Sequence, residues 1–171
     1  AIEQGAGLIN DVRALQNKDC ISAVAQSDVA ICLMHMQGLP RTMQHLPHYD
    51  DLFNDILLFF QARISACEAA GIKRSQLVLD PGFGFGKTLD QNYQLLASLN
   101  TFQALKLPIL AGMSRKSMIG NLLNRELEQR LPGSLAAALI AAQQGAKIIR
   151  VHDVKETVDA LKVLDKVSLF S

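Results

Sequence analysis

The sequence predicts an α/β fold with a parallel sheet, and three observations carry that prediction. Short, β-rich apolar runs recur along the chain at residues 8–9, 30–34, 77–79, 109–111 and 148–151. Each is continuous rather than alternating, the pattern of strands buried on both faces of a parallel sheet. Segments of helical length lie between them, and every run ends in polar or glycine residues, where α/β folds place their chemistry.

Taken in order, the opening AIEQGAG reads as the last turn of a helix closed by Gly5. A mature protein rarely begins on a helix end, so an N-terminal truncation is expected. The first run stops at Asn10-Asp11 and the second at His35. Residues 51–70 carry apolar side chains at 52, 53, 56, 57, 60 and 64, begin after acids and stop at Gly71, which predicts an amphipathic helix. The third run ends in Asp80-Pro81-Gly82, and Thr88 then offers an N-cap to a helix over 90–99. The fourth run opens into residues 112–116. An alanine- and leucine-rich helix over 134–144 is closed by Gly145. The last run gives way to His152-Asp153 and a helix over 155–167 with an apolar stripe at 158, 161 and 164.

Strict alternation of this kind implies right-handed crossovers and a wholly parallel sheet. A (β/α)8 barrel, the TIM barrel, closes with eight units in about 250 residues. Five units in 171 residues therefore read as the last five βα units of such a barrel, with the first three missing. A complete five-stranded, doubly wound open sheet is the competing reading. Either way residues 1–171 form one domain.

Composition narrows the functional classes. Apolar residues make up 49%, charged residues 19%, and the formal net charge is +1. No basic stripe with interleaved aromatics speaks for nucleic acid. No apolar run reaches the roughly 18 residues of a membrane span, and no export signal is present, so a cytoplasmic protein is expected. Cys20, Cys32 and Cys67 are too widely spaced for a metal or redox pair and read as free thiols in a reducing compartment.

The strand ends carry the candidate site. Asn10 can serve both donors and acceptors of a heterocycle, or close its strand as an Asx turn. Met34 can line a flat apolar slot or fill the core. His35 has no acid or second histidine at metal-ligand spacing. DPGFGFGKT, residues 80–88, ends like a phosphate-binding loop, but the leading glycine that motif requires is replaced by Pro81. A carboxylate at Asp80 repels phosphate, whereas it can accept two parallel hydrogen bonds from the amino-amidine edge of a guanine-like ring. The glycines let the backbone pass close to that ring, beside Phe85. Ser114, Arg115, Lys116 and Ser117 follow the fourth strand; the adjacent cations can hold an anion, donate to a ring carbonyl, or stay solvated. Arg150 and His152, two apart, are expected on one face and suit phosphate oxygens. Asp153 points away and is expected to cap the following helix.

GLINDV, CLMHMQG, LVLDPGFGFGKT, GMSRKSMIG and GSLAAALIAAQQGAKIIRVHDVKET, in this order, resemble the bacterial dihydropteroate synthases over essentially the whole chain. The resemblance implies a pterin-binding TIM barrel of folate biosynthesis that joins 4-aminobenzoate to 6-hydroxymethyl-7,8-dihydropterin diphosphate. The products are 7,8-dihydropteroate and pyrophosphate. It implies that Asn10 and Asp80 bind the pterin edge and that Met34 and Phe85 line the slot. Lys116 contacts the pterin and borders the aminobenzoate site, and Ser114 holds the benzoate carboxylate. Arg150 packs over the pterin and, with His152, holds the departing diphosphate, so Lys116, Arg150 and His152 are the catalytic candidates. It further implies a dissociative reaction, a homodimer and a family that is a sulfonamide target. The sensitivity of this chain is left open, because the early loops that contact the drug are not in it. The family's NVTPDSFSDGG loop with its Mg2+-linked asparagine, its STRPG loop and its SVDTS strand are not in this sequence. No metal ligand is expected here, and the chain alone is expected to form a partial site. Two further readings are a pterin-dependent methyltransferase barrel, against which the anion-holding GMSRKS and RVHDV motifs argue, and a non-catalytic pterin-binding fragment.

Overall fold

The computed structural model describes residues 1–38 and 47–170. Five strands follow in chain order: β1 (Leu8–Asp11), β2 (Ala30–Met34), β3 (Leu77–Asp80), β4 (Leu110–Ala111) and β5 (Ile148–Ile149). β1, β2 and β3 pair in parallel, as do β4 and β5, and a parallel bridge from Leu79 to Ile109 joins the two sets. The predicted α/β architecture with parallel strands is what forms. Among the described residues, six helices connect and follow the strands: α1 (Cys20–Ala25), α2 (Leu52–Ala69), α3 (Leu89–Ala97), α4 (Ser117–Leu123), α5 (Leu131–Gln143) and α6 (Val154–Ser168).

Local chemistry explains most boundaries. Asp51 caps α2 by accepting hydrogen bonds from the Phe53 and Asn54 amides, and Gly71, at φ +86, turns the chain after it. Thr88 and Gln91 close a reciprocal capping box at the start of α3. The opening segment is a single 3-10 turn, Ile2–Gln4, ended by left-handed Gly5.

The sheet has two unequal faces. Ile31, Leu33, Leu77, Leu79 and Ala111 pack outward with Ile56, Phe60 and Ile64 of α2 into the main core. There Phe60 meets Phe102 edge-on, with centroids 5.9 Å apart. Cys32, Val78 and Leu110, with Ile148 against them, form a small second cluster on the other face, one residue from each of β2 to β5. Burial pushes the Cys32 thiol up to about 12, so it packs as an inert apolar group. Leu8 of β1 and Ile148 and Ile149 of β5 line a common apolar cleft of about 510 Å³. The row of strands is therefore curled, with its first and last members facing one another.

Several boundaries differ from expectation. β1 runs on through Asn10 and Asp11, which pair with Cys32 and Leu33. β5 stops at Ile149, although the Arg150 amide still donates to Ala111 O at 2.9 Å. α5 begins at Leu131 because Pro132 fits a first helical turn. α3 ends at Ala97, and a 3-10 stretch, Leu99–Leu105, takes over. The sequence does not predict the short helices α1 and α4; fewer than two turns give too little periodicity to read. Among the described residues no helix is long and apolar enough to cross a membrane.

Candidate active site

The inner face of the sheet builds the site by alternation. Side chains two apart on a strand leave the same face, and register places Cys32 beside Val78 and Leu110 beside Ile148. Two residues further on, at the carboxyl ends, come Met34, Asp80, Gly112 and Arg150, with Met34 and Asp80 directly paired. Asn10 pairs with Cys32 and shares that face. Scattered sequence positions thus become neighbours because each lies one step above an inner-cluster residue.

Asp80 is the centre of this group. It is 1% exposed, one carboxylate oxygen accepting from the Gly82 amide at 2.8 Å and the other from Arg150 Nη2 at 3.1 Å. Burial pushes its proton affinity up, opposed by the Gly82 amide and the charges of Arg150 and Lys116. Arg150 reaches Asp80 across Gly112, where a Cβ would lie 2.7 Å from Nη2. A side chain there would displace the guanidinium rather than the backbone, so the glycine keeps room for Arg150 to reach Asp80. Arg150 itself stays exposed. Met34 is fully buried and lies under Gly82. Asn10 is exposed, and the side-chain bond after β1 comes instead from Asp11, whose carboxylate accepts from the Leu15 amide, four residues on, at 2.6 Å.

Three amides of the glycine loop at 82–86 turn inward. The Gly82 amide goes to Asp80, Gly84 N–H donates to Asn92 Oδ1 at 2.7 Å, and Phe85 N–H donates to Gly82 O at 3.1 Å. These three donors are spent internally and do not build a phosphate nest. It presents a surface instead: Lys116 Nζ stands 4.6 Å from the centroid of the Phe85 ring and donates to Phe83 O at 2.6 Å. Burial pulls Lys116 down to about 8, against the pull of Asp80.

After β4 the chain fans out. Ser114 is buried; its hydroxyl accepts from the His152 amide at 3.2 Å and pairs with His152 Nδ1 at 3.0 Å. Arg115 sits in a left-handed conformation, φ +56, and turns away from Lys116 to bond both oxygens of Asp153, through Nε at 2.9 Å and through Nη2. This corrects two expectations. Asp153 does not cap α6 with its side chain; it neutralises Arg115. Arg115 and Lys116 are not a cation pair for one anion, because the left-handed backbone at Arg115 separates their directions. The Arg115 contact holds the Asp153 carboxyl below the usual range.

The structure thus joins Asp80 with Arg150, Ser114 with His152, and Lys116 with Phe85. Arg150 and His152 both turn toward neighbouring strand ends although β5 has already stopped, so strand alternation alone does not account for His152. Sequence reasoning missed Gly112, the Arg115–Asp153 brace and the burial of Lys87; only Gly112 left a signal, as the one residue without a side chain on the inner face. Among the described residues no group of three or more His, Cys, Asp or Glu could hold a metal ion.

Comparison with known proteins bears on this site. Residues 1–152 match the family described as pterin binding enzyme. The dihydropteroate synthase of Escherichia coli strain K12 is 56% identical over 161 residues, covering 94% of this chain and 57% of that protein. The Haemophilus influenzae dihydropteroate synthase is 52% identical over 163 residues, covering 95% of this chain and 59% of that one. Among solved structures, Yersinia pestis dihydropteroate synthase with a sulfonamide drug superposes with a TM-score of 0.97 at 55% identity, over 99% of this chain and 62% of that chain. The Xanthomonas albilineans enzyme in complex with 7,8-dihydropteroate gives 0.91 at 49%, over 98% and 63%. The chain spans under two thirds of the length of each of these relatives.

Proposed function

The chain belongs to the pterin-binding enzyme family, and we propose that it is the greater part of a dihydropteroate synthase of folate biosynthesis. Asp80 carries this reading. A buried carboxylate at the floor of the strand ends, with lone pairs directed into the site, suits the paired N–H donors of a pterin ring. Arg150 already supplies such a donor to it in the free chain. Asn10 offers its exposed amide to the same edge, Met34 and Phe85 form the apolar walls, and Lys116 borders both ring and aminobenzoate. Ser114 takes the benzoate carboxylate, and Arg150 with His152 takes the diphosphate.

The chemistry that fits this set is dissociative. The bond from the pterin methylene to the diphosphate oxygen breaks, and pyrophosphate leaves with the electron pair. The neutral arylamine of 4-aminobenzoate then attacks the cationic methylene and loses a proton to solvent. No strong general base is needed, so positioning and charge stabilisation supply the rate. Among the described residues no group of three or more His, Cys, Asp or Glu could hold Mg2+, and no step of this reading passes through a metal.

The curl of the sheet and the cleft between Leu8 and Ile148 support the finer reading of the fold: one pterin-binding barrel domain whose last five βα units these are. A homodimer in the cytoplasm accords with the resemblance. The test is calorimetry of this chain with the pterin diphosphate, with and without 4-aminobenzoate, followed by an assay for 7,8-dihydropteroate. Pterin binding with little product supports a partial site; near-normal product formation overturns the partial-site reading; absence of pterin binding overturns the function.

A further inference from the structure

Lys87 is a lysine that the proposed reaction leaves without a task, and its surroundings are unusual. Its side chain is 2% exposed. Its Nζ donates to Gly82 O at 3.1 Å, to Phe85 O at 3.3 Å and, at 3.1 Å, faces His35 Nδ1. Three acceptors match the three protons of an ammonium, and among the described residues no carboxylate forms an ion pair with it. His35 is itself buried, its ring edge-on to Phe59 at 4.9 Å and tilted to Tyr49 at 6.1 Å. Burial and the neighbouring Lys87 pull His35 down to about 3, so it is a neutral imidazole whose Nδ1 lone pair is available.

The two carbonyls that Lys87 binds bracket the glycine loop. Gly82 lies so close over His35 that a Cβ would stand 1.9 Å from His35 O, and one on Gly86 would stand 2.3 Å from Gln37 O. Two of the loop's other carbonyls are held as well, Phe83 O by Lys116 and Gly86 O by the Tyr49 hydroxyl at 2.8 Å. The loop is thus held through its carbonyls by side chains, and Lys87, the residue that follows it, is the one that binds two of them, Gly82 O and Phe85 O.

We propose that Lys87 is a positioning residue: with His35 as acceptor, it clamps the loop over 82–86 from beneath, so that Phe85 stands against Lys116 and the Gly82 amide stays on Asp80. The clamp rests on the reading of this loop as the pterin floor. Among the described residues, the charged and titratable groups around it are His35 after β2, Tyr49 before α2, Asp80 on β3 and Lys116 after β4. Burial brings Lys87 down to about 7, with Asp80 opposing and Lys116 assisting.

The clamp is tested on the ligand-free chain by the ring resonances of His35. Because His35 stays neutral from about pH 5 upward, a change in its ring shifts between about pH 6 and 8.5 reports the proton on Lys87. That change is expected in the native chain and in Lys116→Ala, and is absent in Lys87→Met. Amide exchange of Gly84 and Phe85 is expected to quicken in Lys87→Met while β2 stays protected. Unchanged loop exchange in a folded Lys87→Met, or a native His35 whose Nδ1 carries the ring proton and so cannot accept, overturns the clamp; the second measurement decides even if the variant does not fold. Pterin affinity is then expected to fall about tenfold in Lys87→Met, about 1.4 kcal/mol. A native chain that binds no pterin refutes the functional reading, and the ligand-free measurements then decide the clamp by themselves.

Discussion

Replacing Asp80 by asparagine separates the two roles of the buried carboxylate. Asparagine is isosteric, and its carbonyl still accepts from the Gly82 amide, so the loop geometry is preserved. What changes is the other oxygen, which faces the ring and accepts from Arg150 Nη2 in the free chain. As an NH2 it meets that donor with a donor, and the guanidinium, 40% exposed, turns to solvent. An ionised Asp80 accepts from two parallel N–H donors, whereas asparagine turns an NH2 group toward one of them. One charge-assisted hydrogen bond is lost, worth about 1.5–3 kcal/mol, or about 10- to 150-fold in affinity. Stability is expected to move the other way. Burial raises the Asp80 pKa in the folded state, so its ionised form destabilises the native chain above that pKa, and this cost disappears as the pH falls. Asp80→Asn is therefore expected to raise the thermal midpoint at neutral pH while weakening pterin binding. Calorimetric titration with 6-hydroxymethylpterin and a melting curve on the same sample measure both. A variant that binds within about threefold of the native chain, or that melts lower, would refute the account of Asp80 as a strained acceptor kept for its ligand.

Two further outcomes are expected. Gly82→Ala places a Cβ 1.9 Å from His35 O at φ +73 and is expected to cost more than about 2 kcal/mol in urea unfolding. Gly84→Ala, at φ +77 but only 3.5 Å from Lys116 Cδ, is expected to cost about 1 kcal/mol from backbone strain alone; equal losses would contradict the packing of the loop on β2. Lys116, drawn down to about 8 by burial, loses its charge above that pH, so affinity for the pterin diphosphate is expected to fall as pH rises through 8. Its folded pKa lies below the unfolded value, so its stability contribution grows over the same range and is lost as pH falls back through 8. Binding and melting point therefore diverge with pH, and Lys116→Arg, charged throughout, is expected to flatten the binding profile; a flat native profile would count against the buried ammonium.

The strands and longer helices were legible because their signals are local: continuous apolar runs for β2 and β3, spacing and a cap for α2, a capping box for α3. The short α1 and α4 lay below that threshold. Asp80, Arg150, Ser114, Lys116 and His152 could be singled out as polar residues at strand ends. Which of them touch could not, since contact depends on register and on two-residue alternation across a curled sheet. Arg115 shows the limit. Its partner Asp153 lies 38 residues away, and the left-handed backbone that sends it there, with its amide on Ser134 Oγ and its carbonyl held by Arg130, leaves no mark in an isolated SRKS. Lys87 was hidden for a different reason: a lysine at the end of a glycine loop looks like a solvated cation, and only packing reveals it as buried.

The order of the strands has a consequence for how the chain comes to be folded. Each strand lies beside the one before it in sequence, with no strand inserted later between two earlier ones. Every new βα unit can dock on an edge already made, so contacts form between near neighbours in the chain and loop-closure costs stay small. A nascent chain leaving the ribosome amino-terminus first can therefore grow this sheet one unit at a time. Asp80 meets Arg150 only after β5 has docked, so this contact waits for the last of these five strands.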